Sequence, residues 1–380
     1  MTALNQAASL SIPPAARAGD PLDVIDTPSL ILDLDVFEEN LRTMQVLTER
    51  HGVVLRPHAK AHKCPDVALR QIALGAVGIC CQKVTEAVPF VLAGVRDIHI
   101  SNEVMGVAKL ELLTRLAKQA AVTVCVDHAR AVDALGGAVR TYGGQIGVLV
   151  EIDIGQRRCG VQTPADAVAL ARRVQSMPGL EFVGLQAYQG GLQHKRSLAL
   201  RERACIQAAG RVRKTLAAFA QAGITCARVT GGGTGSAEFD VAHGAYTEIQ
   251  AGSYPFMDGQ YAAIDWSNGL SFKHSLFLTG TVMSAPTPER VVVDIGLKST
   301  SAECGVPTAP PGAPWRCIAI NDEHAILQAP RAGALPALGA RVRLIPSHVD
   351  PTFNLHDTVV AVRGQKVEAV WPVSARGLSR

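Results

Sequence analysis

The sequence predicts an α/β fold: a (β/α)8 TIM-type barrel followed by a β-rich C-terminal domain. Three observations predict it. Eight short apolar or β-branched runs alternate with amphipathic segments between residues 53 and 250. Helical periodicity stops near Ser271, and strand-like runs broken by Gly and Pro follow. One more strand, Ser29 to Leu34, precedes the eight and is surplus to a barrel. Strand–helix alternation of this count is the pattern of a barrel, with a doubly wound parallel sheet as the alternative.

The first twenty residues are Ala- and Pro-rich and read as an extended arm, without the basic and apolar regions of a signal peptide. Asp26-Thr27-Pro28 punctuates the chain before the strand at 29–34. Asp35 is the expected N-cap of a helix reaching about Arg50, with Val36, Leu41, Met44 and Leu47 on one face. The eight runs are 53–56, 77–80, 97–100, 122–126, 146–152, 181–187, 226–230 and 247–250. Helices are expected at 65–74, 85–93, 107–118, 129–140, 164–176 and 198–222. Beyond Ser271, seven strand-like runs extend from LFLTGTVMS at 276 to KVEAVWPV at 366, with APPGAP at 309–314 as a loop. The expected domains are 36–268 for the barrel and 269–380 for the β-rich part.

Apolar residues make up 48% of the chain and charged residues 18%, the balance of a folded globular protein. A net charge of +4 without a basic run gives no electrostatic case for nucleic acid or membrane partners. Nine cysteines without a C-x-x-C pair are neither a disulfide framework nor a zinc knuckle. They fit reduced thiols, hence an expected cytoplasmic location. No apolar run reaches transmembrane length.

Four stretches could carry chemistry. Val53-Val54-Leu55 stops at Arg56-Pro57-His58, and Lys60 follows. A cation just past a barrel strand is where a reactive lysine would stand, although a solvated turn lysine shows the same letters. Thr230 to Ser236 (TGGGTGS) follows the seventh run and can form an anion nest, with Gly252-Ser253-Tyr254 on its other side, or simply a Gly-rich turn. It has neither the lysine of a Walker loop nor the spacing of a dinucleotide fingerprint. Asp153 to Gly160 ends the fifth run in Arg157 and Arg158, either of which can hold an oxyanion. His348 and Asp350, two apart, would point the same way on an extended strand and suit a divalent ion of intermediate hardness. His324, His356 and Asp357 are further candidates there, and His194 follows the sixth run.

Taken together, RPHAKAHK, DIGQRRCG, TGGGTGS, QAGSY and PSHVDPTFNLHD resemble the fold-type III, alanine-racemase-like pyridoxal-phosphate enzymes. Within them the set looks like the D-threonine aldolases, with 3-hydroxy-D-aspartate aldolase as near kin. The resemblance runs from about Asp26 to Arg376. It implies that Lys60 carries pyridoxal 5'-phosphate and that Arg158 contacts the cofactor's phenolic oxygen. Thr230, Gly232, Gly233, Thr234, Gly252, Ser253 and Tyr254 would form or support its phosphate cup. His348 and Asp350 would hold Mn²⁺ or Mg²⁺, and Tyr188 and His194 would lie beside the substrate. It further implies that the strand at 29–34, with residues 1–35, joins the C-terminal domain, and that the protein is a homodimer with its site near the interface.

The implied reaction is the cleavage of a D-β-hydroxy-α-amino acid, such as D-threonine, to glycine and an aldehyde. D-Serine and D-threo-3-hydroxyaspartate dehydratases of the same family carry Cys and zinc where this chain has Asp350, which favours the aldolase. An amino-acid racemase would need a second-face base that cannot be placed. A non-catalytic pyridoxal-phosphate carrier would generally end at the barrel.

Overall fold

The computed structural model describes residues 12–267, 270–331 and 333–380; the N-terminal arm expected over the first twenty residues lies largely outside them. Two eight-stranded sheets organise the chain. The first is parallel and consists of β2 (Val54–Leu55), β3 (Ile79–Cys81), β4 (Asp97–Glu103), β5 (Ala121–Val126), β6 (Ile146–Glu151), β7 (Leu180–Ala187), β8 (Arg228–Gly231) and β9 (Glu248–Ile249). Its strand order is β2-β9-β8-β7-β6-β5-β4-β3. The end strands meet through a parallel bridge between His58 and Cys80, with the Cys80 amide donating to the Pro57 carbonyl at 2.8 Å. The sheet thereby curls into the expected barrel, and all eight predicted runs are its strands.

Helices cover the barrel: α1 (Leu34–Arg50), α2 (Pro65–Ala73), α3 (Val84–Leu92), α4 (Val107–Leu116), α5 (Ala129–Tyr142), α6 (Pro164–Gln175) and α7 (Leu198–Gln221). Three short helices were not expected: α8 (Ala237–Ala242), α9 (Gly259–Ala262) and α10 (Val349–Phe353). The cap of α1 is Asp33, not Asp35: its carboxylate accepts from the amides of Asp35 and Val36 at 3.1 and 3.2 Å. Starting at Leu34 turns the buried stripe to Leu34, Phe37, Leu41, Met44 and Thr48, leaving Val36 and Leu47 at its edge.

The second sheet contains β1 (Ser29–Asp33) and β10 (Leu276–Thr287) through β16 (Lys366–Pro372), with β11 at Arg290–Val293, β12 at Arg316–Ile320, β13 at Ala325–Gln328, β14 at Arg341–Leu344 and β15 at Thr358–Arg363. The surplus strand finds its place here. β1 lies antiparallel to β10 and parallel to β15, and Leu30, Ile31 and Leu32 are almost wholly buried. A continuous apolar run suits a strand covered on both faces.

The barrel interior is polar as well as packed. Arg56, 1% exposed, makes paired bonds to Asp97 at 2.7 and 3.2 Å, and its Nε lies 2.9 Å from Glu248 Oε2 without hydrogen-bond alignment. This ion cluster ties β2 to β9 and β4 around the seam. Removing one member of a buried ion pair strands the other charge. Arg56→Met is expected to cost about 3–5 kcal/mol in urea unfolding; a loss below about 1 kcal/mol would show that the cluster is not structural.

Candidate active site

The carboxyl ends of the barrel strands open into a cavity of about 580 Å³, its mouth included. Lys60 enters it from the end of β2. Pro57 stops the strand, and one 3₁₀ turn at Ala59–Ala61 carries Lys60 to the cavity wall. His58 braces this turn: its Nδ1 accepts the Lys60 amide at 3.4 Å, while Nε2 faces Ser101 Oγ at 2.9 Å and Gln82 Oε1 at 3.2 Å. Burial, then the Lys60 charge, hold His58 well below the usual histidine range, so it is neutral.

The Gly-rich loop after β8 forms the far wall. Ser236 is its hub: Oγ accepts from the Gly233 amide at 3.1 Å and from Gln193 at 2.8 Å, and donates to Asp240 at 2.5 Å. Thr234 Oγ1 accepts two amides across the gap, from Ser253 at 3.1 Å and Tyr254 at 3.0 Å. With both lone pairs used, the Thr234 hydroxyl hydrogen is free for an anion. The amides of Gly232, Thr234 and Gly252 have no partner among the described residues. A Cβ on Gly252 would approach the His58 carbonyl to 3.1 Å, and one on Gly232, at φ +69°, would strike Asp240 at 2.5 Å. Free amides converging where side chains cannot fit make an anion nest.

Two expected cup residues do not line the cavity. Thr230 is buried in the barrel and accepts from Gln250 at 2.9 Å. The Tyr254 hydroxyl turns into the core and accepts from Gln71 at 3.1 Å. Of the paired arginines, Arg158 reaches the cavity; its guanidinium lies 5.4 Å from the Tyr188 ring centre and 3.8 Å from Glu151. Burial raises the Tyr188 phenol, so it stays protonated.

His348 and Asp350 reach the mouth by a different geometry from the expected one. His348 caps α10 in extended conformation and Asp350 sits in the first turn of that helix, so no strand aligns them. His348 Nε2 is 3.8 Å from Asp350 Oδ1, and Asp350 Oδ2 receives the Lys60 ammonium at 2.5 Å. The Asp350 carboxylate raises Lys60 above the ordinary amine range. Burial pushes Asp350 up, but Lys60 and His348 together hold it below the carboxylate range. Asp258 fixes α10 against the barrel: its carboxylate accepts the amides of Gln260 and Tyr261 from α9 and that of Val349 at 3.0 Å. The other candidates are occupied elsewhere. His356 meets the Ser299 carbonyl at 2.6 Å, Asp357 pairs with Arg376, and His324 lies at a β-turn before β13.

His194 does not line this cavity but an adjoining one, its ring 4.7 Å from that of Tyr261. Burial, then the His348 charge, lower its pKa, so the ring is neutral near pH 7.

Comparison with known proteins follows the same division of the chain. Residues 32–259 match the family described as "Alanine racemase, N-terminal domain", and residues 275–362 match "Putative serine dehydratase domain". A D-threonine aldolase of Arthrobacter sp is 56% identical over 373 residues, covering 98% of each chain. The chain belongs to the alanine-racemase-like family, in its D-threonine aldolase branch. A 3-hydroxy-D-aspartate aldolase of Paracoccus denitrificans is 42% identical, covering 93% of this chain and 92% of its own. The crystal structure of D-threonine aldolase from Filomicrobium marinum superposes with a TM-score of 0.95 at 45% identity, covering 97% of this chain and all of that one.

Pyridoxal phosphate is the cofactor of this fold family, and the cavity fits it. A nest of free amides suits a phosphate, Arg158 suits a phenolate, and Lys60 offers a primary amine. Sequence reasoning missed much of the remaining wall: His58, Gln82, Ser101, Gln186, Gln250 and Tyr261. Gln186 was the most accessible of these, because it is polar near the end of an apolar run.

Asp240 gives the loop a pH signature. Burial pushes its carboxyl up to about 7, although the Ser236 hydroxyl works the other way. A carboxyl raised on folding lends its stability below its unfolded range, and loses it as pH rises through the folded value. Asp240→Asn is therefore expected to stabilise the protein increasingly between about pH 4 and 7. By pH 8 the gain relative to pH 4 should exceed about 1.4 kcal/mol, the worth of one pKa unit. A pH-independent difference in chemical denaturation would contradict this.

Proposed function

We propose that the protein is a pyridoxal-phosphate- and divalent-metal-dependent aldolase. It cleaves D-threonine and related D-β-hydroxy-α-amino acids to glycine and an aldehyde. The observation that carries the reading is the contact of Lys60 with Asp350 at the cavity wall, with His348 3.8 Å from Asp350 and neutral His194 on the adjoining cavity.

Lys60 is assigned to hold the cofactor, with the amides of Gly232, Thr234 and Gly252 and the Thr234 hydroxyl on its phosphate. Arg158, stacked over Tyr188, would take the phenolic oxygen. Ser253 and Gly233 support the cup through their backbone. The His348 imidazole and Asp350 carboxylate would hold one divalent ion between them, and the hard carboxylate would favour Mn²⁺ or Mg²⁺. When bound, the cofactor supplies an electron sink at Cα, and the metal a Lewis acid at the β-hydroxyl.

The residues do the rest. His194, neutral and without a hydrogen-bond partner among the described residues, accepts the β-hydroxyl proton. The Cα–Cβ bond breaks, the hydroxyl oxygen becomes the aldehyde carbonyl, and Cα gains a proton to give glycine. Tyr188, kept as a phenol beside Arg158, would orient the cofactor ring. Asp350, where a cysteine would suit zinc, supports the aldolase over the dehydratase. The proposed domains are 36–268, holding the cofactor, and 269–380 with 1–35, holding the metal. The proposed assembly is a homodimer closing the mouth. No described helix is long and apolar enough to cross a membrane.

Lys60→Ala is expected to lose the visible cofactor absorbance; retained absorbance that borohydride bleaches would remove Lys60 from its role. Dialysis against EDTA should abolish D-threonine consumption with the cofactor spectrum intact, and Mn²⁺ should restore it. Indifference to EDTA would remove the metal from the mechanism. His194→Asn should lower kcat by about 10²–10⁴-fold, as expected for loss of a general base.

A further inference from the structure

Behind His348, on the side away from Asp350, lies a second group of ligand-type side chains. Ser347 Oγ donates to the Ser301 carbonyl at 3.0 Å, and Thr352 Oγ1 accepts the Ser301 amide at 3.3 Å. These bonds clamp the 301–304 loop against α10 and bring Glu303 and Cys304 to the His348 ring. Glu303 Oε1 is hydrogen-bonded to Nδ1, and Cys304 Sγ lies 3.9 Å from Nδ1 and 4.0 Å from Glu303 Oε1. The thiol is exposed and borders a cavity of about 690 Å³ shared with His194, so the group is open to solvent.

We propose that Glu303, Cys304 and His348 Nδ1 form a second divalent-cation site, selective for zinc. Tetrahedral zinc with bonds of about 2.0–2.3 Å spaces its ligands about 3.3–3.6 Å apart. Sulfur is already within about half an ångström of that spacing, and the Glu303–His348 pair must open to admit the ion. Thiolate, imidazole and carboxylate are a zinc donor set, with water as fourth ligand. Binding expels the thiol proton to solvent, and the Nδ1 proton leaves that nitrogen for Nε2.

Another group of three, Glu103, Glu151 and Cys159, has comparable spacing among the described residues. There the Arg158 guanidinium already stands 3.8 Å from Glu151 and opposes a cation. Among the described residues, no Lys or Arg pairs with Glu303.

The site shares one imidazole with the proposed catalytic metal. With Nδ1–H bound to Glu303, the Nε2 lone pair faces Asp350, a carboxylate–histidine arrangement that orients a metal ligand. With zinc on Nδ1, the proton moves to Nε2, which then has no lone pair to offer. Zinc binds N and S donors more tightly than manganese. It therefore acts as an inhibitor that removes the catalytic ion from a neighbouring position. This exclusion, though not the site itself, rests on the proposed function of His348 and Asp350.

The test uses the protein with its cofactor, stripped of divalent metal and titrated with Cd²⁺ as a thiophilic probe. The expected result is a sulfur-to-cadmium band in the ultraviolet that saturates at one equivalent. It should be absent in Cys304→Ser and Cys304→Ala, both exposed changes that leave the Mn²⁺-supported rate unchanged. Zn²⁺ added to the Mn²⁺-loaded wild type should release free Mn²⁺, seen by its paramagnetic resonance, as activity falls. Cys304→Ser should require about tenfold more zinc or higher for the same effect. A missing band, a band that survives the Cys304 changes, or Mn²⁺ retained beside bound zinc would overturn the proposal. The band is read without substrate, so a failed aldolase assay with the band intact counts against the function and leaves the site standing.

Discussion

The contact between the Lys60 ammonium and the Asp350 carboxylate joins the two halves of the molecule at the wall of the cavity. Its partners are 290 residues apart, one just past the first barrel strand and the other on a five-residue helix of the β-rich part. A buried carboxylate needs a cation, and a lysine at a cavity wall needs a counter-charge. Each satisfies the other, and their pKa directions follow: the amine up, the acid down. The proposed cofactor lysine and the proposed metal ligand are thereby kept on the wall of one cavity. Asp258 and the 301–304 loop hold the helix that makes this possible, through backbone amides rather than through the ion pair itself.

Below the site the barrel interior holds a network of polar groups, several of them hydrogen-bonded to one another. His99 meets Thr123 at 2.9 Å and Gln186 at 3.2 Å, while Gln250 donates to Gln186 at 2.7 Å and to Thr230 at 2.9 Å. The Arg56–Asp97–Glu248 cluster belongs to the same interior. Partnered polar groups of this kind rigidify an interior and give the cavity a floor of fixed dipoles. Such a floor favours a polar ring over an apolar one, in keeping with a heteroaromatic cofactor.

The fold was legible because its signals are local. β-branched runs separated by amphipathic helices mark eight strands, and the surplus of one strand pointed to the second sheet before its pairing with β10 and β15 was seen. The proposed phosphate cup was legible because its glycines stand where a side chain is crowded: a Cβ on Gly252 would come within 3.1 Å of the His58 carbonyl. Side-chain direction was not legible. Thr230 and Tyr254 lie in the right segments and face the wrong way, one into the barrel and one into the core. His348 and Asp350 were read as strand neighbours, yet a helical turn brings them together. Glu303, 45 residues before His348, carried no signal at all, since only the clamp of Ser301 against α10 makes them neighbours.

Carbon–carbon cleavage at the Lys60–Asp350 junction is most directly tested by the products formed from D-threonine. The holoprotein with Mn²⁺ would be incubated with D-threonine, and all products counted by proton NMR and an ammonia assay. The expected result is glycine and acetaldehyde in equal amounts, without ammonia. Ammonia with an equal amount of 2-oxobutanoate would contradict it.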